Sequence, residues 1–266
     1  MHSLIRCWML VAVWALAGCA TVVAPSASPP VSENTVADDT AAQAAWARVL
    51  LRFVDEQGRV DFAGLSRDRA DLDRYVAWVA RVTPDNRPQV FGNITAALAH
   101  HINAYNAVAM YAVLDSGLPE TLAGWRKVRF FFLKRYQIAG QAMSLYAYEN
   151  NVVRKLQDPR MHFALNCMSV GCPRLPREPF LADALDAQLE RATHAFFAES
   201  RNLRVDAANK MVYLSEILKF YPDDFLAFAP SLVAYAGRYA PASVPLDYTA
   251  RFTPYDWTVN HQPAKR

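Results

Sequence analysis

Residues 94–114 read ITAALAHHINAYNAVAMYAVL, and the fold turns on this stretch. Ile94, Leu98, Ile102, Tyr105 and Ala109 recur at helical spacing, and Ala99, Met110 and Val113 form a neighbouring stripe. A helix apolar on several faces belongs at the centre of a core, so this segment is expected to be wrapped by the rest of the chain. Gly117 and Pro119 end it. Working outward, Ala45, Val49 and Phe53 mark a helix over 42–54, and Leu72, Tyr75, Val76 and Val79 mark another over 70–82. Residues 136–144, turning at Ala139-Gly140, read as a small hairpin followed by a helix to 156. Residues 161–165 read as a short apolar strand, and 182–197 as a helix. Leu203–Val205 and Met211–Leu214, flanking Asn209-Lys210, read as a second hairpin. Pro222, Pro230 and Pro241 cut the remainder into short pieces. No internal repeat is present. The expected fold class is α+β, one mainly helical domain with short strands and hairpins over residues 41–266.

Composition agrees with a single sizeable core: 266 residues, 53% hydrophobic and 12% aromatic, with only nine glycines. The formal net charge of +3 asks for no nucleic acid partner. The N-terminus is informative. In MHSLIRCWMLVAVWALAGC, Arg6 precedes an apolar run too short to span a bilayer, and Leu16-Ala17-Gly18-Cys19 has the form of a lipoprotein cleavage box. Residues 1–18 are therefore read as a signal peptide, with Cys19 as the lipidated residue and 19–40 as a flexible tether rich in Ala, Ser, Pro and Val. Ala20, rather than aspartate, after the cysteine points to the outer membrane, the domain facing the periplasm. The expected partners are the membrane, through Cys19, and an unidentified small molecule or peptide. No cofactor is expected.

Four blocks, HINAYNAV at 101–108, SLYAYEN at 144–150, DPRMHFALNCMSVGCPRL at 158–175, and YPDDF at 221–225 with YDWTVN at 255–260, together resemble the bacterial branch of domain-of-unknown-function family 547. The resemblance spans most of residues 45–260. It implies an exported or lipid-anchored protein and a distant similarity to papain- and transglutaminase-like thiol enzymes, but no established activity. Asn150 stands where the family pattern often has histidine after the glutamate, so a role for that histidine is not open to this chain.

With Cys7 removed and Cys19 acylated, Cys167 and Cys172 are the remaining thiols, and two thiols in an oxidising compartment usually pair. The Met168–Gly171 loop sets them opposite one another at a separation suited to a disulfide, which would contribute only about 2 kcal/mol through loop closure. A nucleophilic Cys167 with His162 as base is the competing reading. If 161–166 is extended, however, the two lie about 16 Å apart with side chains on opposite faces. His100 and His101 from the central helix are further candidate bases, His101 the more so. A metal held by His162, Cys167 and Cys172 is least favoured, because spacings of five are not typical of zinc sites. Asn103 and Asn106 share a face of the apolar helix, so each must find partners, either neighbouring loop backbone or a substrate carbonyl. Glu149 and Arg160 are read as an ion pair, or Glu149 as orienting a histidine. The basic and aromatic run 125–136 is read as an amphipathic strand or loop with solvated charges, or as an anionic lipid or ligand face. Asp223-Asp224, like Asp55 and Asp61, are read as caps and turns.

These residues support two functions. One is a thiol-dependent enzyme, an amide or peptide hydrolase or transferase or a thiol-redox protein. It would use Cys167 with His162 or His101, with Asn103, Asn106, Glu149 and Arg160 binding. The other is a non-enzymatic periplasmic scaffold or binding module stapled by a Cys167–Cys172 disulfide.

Overall fold

The computed structural model describes residues 22–23 and 36–263. The central stretch forms the helix Ile94–Asp115, capped by the Asn93 side chain, which accepts the Ala96 N–H, and all but a few of its side chains are buried. The elements run in order as β1 (Val22–Val23), α1 (Val36–Phe53), α2 (Phe62–Arg67), α3 (Ala70–Arg81) and α4, the central helix. Next come α5 (Trp125–Val128), continued as a π-helical turn over Arg129–Leu133, then β2 (Arg135–Ile138), β3 (Gln141–Met143) and α6 (Leu145–Asn151). Two 3-10 turns, Val153–Leu156 and Pro159–Phe163, precede α7 (Leu185–Ala198), β4 (Leu203–Asp206) and β5 (Met211–Ser215). The chain closes with α8 (Ile217–Phe220), α9 (Pro222–Leu226), α10 (Leu232–Gly237) and β6 (Thr249–Thr253). The mainly helical α+β class holds.

Two apolar clusters organise these elements. The larger surrounds α4 with side chains of α1, α3 and α6, including Trp46, Trp78 and Tyr148, packed with Tyr105 of α4 itself. The smaller gathers Phe163, Phe196, Phe197, Leu214, Phe225 and Tyr235 around α7 and β5. Each has a three-stranded sheet at its side. β1 pairs parallel to β2, which pairs antiparallel to β3; β4 pairs antiparallel to β5, which pairs parallel to β6.

Several expectations are corrected. The helix α1 begins at Val36, inside the expected tether, because Asp39 is buried and accepts hydrogen bonds from Trp78 Nε1 (2.9 Å) and Arg87 Nε (2.8 Å). Val22 and Val23, also inside it, pair with Arg135 and Tyr136. The expected strand at 161–165 is instead the 3-10 turn after Pro159, capped by Asp158. The run 125–136 starts as a helix, not a strand or loop. Phe130, Phe131 and Lys134 turn inward at helical spacing, and Lys134 Nζ reaches Asp115 Oδ2 at 2.5 Å. The strand β6 had no counterpart in the sequence reading. Cys19 and the signal peptide lie outside the described residues.

His100 and His101 lie buried on α4. His101 Nδ1 meets Tyr148 Oη at 2.8 Å, and the His100 ring sits against Trp78 and Phe91. Burial pushes His101 down to about 4 and His100 well below its usual value, the latter helped by His101. Below pH 6.5 the unfolded chain therefore binds protons that the folded chain refuses. The stability each neutral ring supplies is complete above pH 6.5 and lost as pH falls toward the folded value. Between pH 7 and pH 5 the loss expected from His101 is about 2 kcal/mol, and His100 adds to it in the same direction. Urea unfolding at the two pH values should show it, with His100→Phe, which keeps the ring contacts, flattening the dependence. An equally steep loss in that variant would remove His100 as a cause.

Candidate functional site

The 3-10 turn Pro159–Phe163 lies between the two clusters. Phe163 enters the smaller, Met161 enters the larger, and the His162 ring stacks on Tyr221 at 4.2 Å between centroids. At this seam lies a cavity of about 70 Å³ whose lining includes Cys167, Cys172, His162, Glu149, Tyr221 and Tyr255.

The cysteine loop is held from both sides. Asn106, on α4, accepts the Asn166 N–H at 2.7 Å and donates to Ala164 O at 3.0 Å. Asn166 in turn accepts the Met168 N–H and donates to Pro173 O, both at 2.7 Å, closing the loop from its two ends. On the other side the C-terminal strip pairs with the loop backbone: Val170 N–H to Thr258 O, Gly171 N–H to Asp256 O, and Asn260 N–H to Met168 O. Met168 is fully buried at φ 67°, a left-handed conformation that a residue with a side chain adopts only when its surroundings force it. A Cβ on Gly171 would lie 2.8 Å from the Tyr255 ring, so glycine there lets tyrosine close over the loop.

Held this way, Cys167 and Cys172 face one another as free thiols with their Sγ atoms 2.8 Å apart; the expected disulfide bond is not present. The environment separates them electrostatically. Cys172 Sγ receives the Cys167 N–H at 2.9 Å and the Tyr255 hydroxyl at 3.1 Å, with Ser169 Oγ at 3.4 Å. Burial works against charge on Cys172, but these donors and the Cys167 thiol outweigh it and bring it down to about 6. Burial and the neighbouring Cys172 push Cys167 well up, while the Cys167 N–H and the Tyr255 hydroxyl both donate to Cys172 Sγ. Tyr255 is pushed well up by burial and by both cysteines, and stays a donor.

The opposite wall is acidic and aromatic. Glu149 is buried and accepts the Tyr105 hydroxyl at 2.9 Å, and it bonds Tyr221 as well. His162 Nε2 lies 2.8 Å from Asp224 Oδ2, and Arg154 grips the same carboxylate with two bonds of 2.7 and 2.8 Å. Asp224 is desolvated, yet these partners hold it far below the ordinary carboxylate range. Among the described residues no hydrogen bond joins a histidine to either sulfur.

Of the residues singled out from sequence, Cys167, Cys172, His162 and Glu149 line one cavity. His101 does not; it is bound to Tyr148. Asn103 fastens Phe180 through both its N–H and C=O and accepts Trp46 Nε1, while Asn106 fastens the cysteine loop. The Glu149–Arg160 pair does not form, because Arg160 faces away onto Asp158, Asp186 and Glu190. Sequence reasoning passed over Ser169, Tyr221 and Tyr255, and read Asp224 as a cap or turn, whereas it binds His162 and Arg154 at the site. Tyr221, Asp224 and Tyr255 lie in the blocks YPDDF and YDWTVN. No group of three or more His, Cys, Asp or Glu side chains suited to a metal occurs among the described residues.

No curated protein and no solved structure matches the chain. Residues 93–197, which carry α4, α6, Cys167, Cys172 and most of α7, match the family model described as protein of unknown function, DUF547.

Proposed function

We propose that this is an exported, lipid-anchored envelope protein, held to the outer membrane through Cys19, whose Cys167–Cys172 pair performs thiol–disulfide exchange. The observation that carries the reading is the sulfur pair itself, Sγ atoms 2.8 Å apart beside a cavity, with the Cys167 N–H and the Tyr255 hydroxyl donating to Cys172 Sγ. A Cys–His hydrolase needs its base bonded to the nucleophile, and among the described residues no hydrogen bond joins His162, held by Asp224 through Nε2, to either sulfur. Cys172 thus becomes the attacking group and Cys167 the resolving one, reversing the order expected from sequence.

The exchange balances without a cofactor. The Cys172 thiolate attacks one sulfur of a substrate disulfide, and the other leaves as a thiolate, giving a mixed disulfide. Cys167 then passes its proton to the departing thiolate and attacks Cys172 Sγ, releasing the second substrate sulfur. Two electrons have moved to the substrate, and the chain retains a Cys167–Cys172 bond.

Equilibration in glutathione buffers, followed by acid trapping, alkylation and mass measurement, tests this. A reversible two-electron transition within the glutathione range, confined to Cys167 and Cys172, is expected. A bond that stays oxidised below about −300 mV, as structural disulfides do, would instead favour the stapled scaffold. Mass measurement of the mature N-terminal peptide tests acylation of Cys19 separately.

A further inference from the structure

The run Trp125–Lys134 has no part in the thiol chemistry, yet it is built with two distinct faces. Lys127, Phe130, Phe131 and Lys134 turn inward at helical spacing. On the other side Trp125 is 70% exposed, and Val128, Phe132, Leu133 and the adjoining Tyr146 are each more than a third exposed. Trp125, Val128 and Phe132 recur at helical spacing along one side, and Phe132 contacts Tyr146 with ring centroids 4.6 Å apart. Arg126, Arg129 and Arg135 border it, all exposed, and none forms an ion pair with another described residue. An apolar patch of several large side chains with cations at its rim suits an anionic interface.

What covers this face is indicated by the chain itself. Val22 pairs with Arg135 and Val23 with Tyr136, so the N-terminal segment leaves the domain alongside the same strand that continues from the patch. Cys19 is only three residues before Val22, a reach of about 10 Å in extended chain. An acyl group on Cys19 would therefore enter the bilayer next to Trp125, Phe132 and the three arginines.

We propose that this helical face rests on the anionic phospholipid surface of the membrane that holds Cys19, as a second point of attachment. The proposal builds on the lipid-anchor reading and adds an orientation to it. A lipid on Cys19 tethers the chain without fixing its orientation, and an apolar, basic patch beside it converts tethering into docking. The thiol cavity shares Phe131, Phe220 and Trp257 with the flank of this region, and Lys127 lies over the Trp257 ring at 4.0 Å from its centroid. Docking would therefore hold the dithiol close to the membrane surface.

The test uses the purified mature protein, with its native N-terminus, reconstituted into vesicles of phosphatidylethanolamine and phosphatidylglycerol bearing brominated acyl chains. Tryptophan emission should be quenched, and Trp125→Phe should abolish most of that quenching. Replacing phosphatidylglycerol by phosphatidylcholine, or mutating Arg126, Arg129 and Arg135 to serine, should lower it at least twofold. Equal quenching in wild type and Trp125→Phe overturns the proposal. So does a concentration-dependent dimer that Trp125→Phe dissolves while wild type shows no quenching, since the face would then belong to a second copy. Mass measurement of the N-terminal peptide keeps the two readings apart. Acylated Cys19 with no Trp125 quenching rejects the docking face alone. An unacylated Cys19 rejects the anchor, and the same quenching measurement then decides whether the face binds lipid by itself.

Discussion

Cys172→Ser should lower the rate of iodoacetamide alkylation at pH 7 by roughly 30-fold or more. An ordinary thiol with a pKa of about 8.5 is only about 3% thiolate at that pH, and burial, the largest cause of the raised Cys167 value, stays in place in the variant. Cys172, brought to about 6, is mostly thiolate at pH 7. The wild-type rate should therefore rise with pH to a midpoint near 6. Cys167→Ala should still alkylate, but with a higher midpoint, because the Cys167 thiol is one of the donors that stabilise the charge. Tyr255→Phe should move the midpoint the same way by removing the hydroxyl 3.1 Å from Cys172 Sγ. The sign is fixed by what each group does: every donor lost favours the protonated form and raises the pKa. Were Cys167→Ala to abolish the reaction and Cys172→Ser to spare it, the charge would lie on the other sulfur and the proposed order of attack would be reversed. If neither thiol reacted until strong reductant was added, the pair would be a staple.

That experiment separates alternatives the sequence left open, and the reason lies in the 3-10 turn. Read as a strand, residues 161–166 carry His162 about 16 Å from Cys167. Asp158 capping and Pro159 at the first position bend the chain instead, and His162 comes to line the same cavity as both sulfurs. A five-residue apolar run fits either reading by periodicity, and the cap before it was the better signal. The central helix, by contrast, was legible almost to the residue, because its stripes are long and its end is marked by Gly117 and Pro119. The hairpins at Ala139-Gly140 and Asn209-Lys210 were legible from turn residues, with Ala139 and Lys210 both at positive φ. The strand β6 was not. Its partner β5 lies more than thirty residues away, and only that pairing gives Thr249–Thr253 a reason to be extended. Tyr255 and Ser169 were hidden for a related reason. Their meaning depends on the strip 255–260 lying against the loop 168–171, a contact between distant parts of the chain.

Asn106→Ala should destabilise the protein by about 3–4 kcal/mol, lowering the thermal midpoint by roughly 10 °C. Asn106 is almost completely buried, and the substitution strands two backbone groups in the core: the Asn166 N–H and the Ala164 carbonyl. Each unpaired group costs about 1–3 kcal/mol, against a total stability of only about 5–15 kcal/mol. The same change reaches the chemistry, because Asn166 closes the cysteine loop through Met168 and Pro173. Its loosening should displace Cys167 N–H from Cys172 Sγ and raise the thiol midpoint. Asn103→Ala supplies the contrast. That side chain is also buried, but it fastens Phe180 and Trp46, away from the loop. It should cost comparable stability in urea unfolding at pH 7 and leave the thiol midpoint unmoved. If both variants shift the midpoint equally, the asparagines support the fold alone. If only Asn106→Ala shifts it, the central helix sets the charge on Cys172 from one turn beyond the residue that merely holds the core.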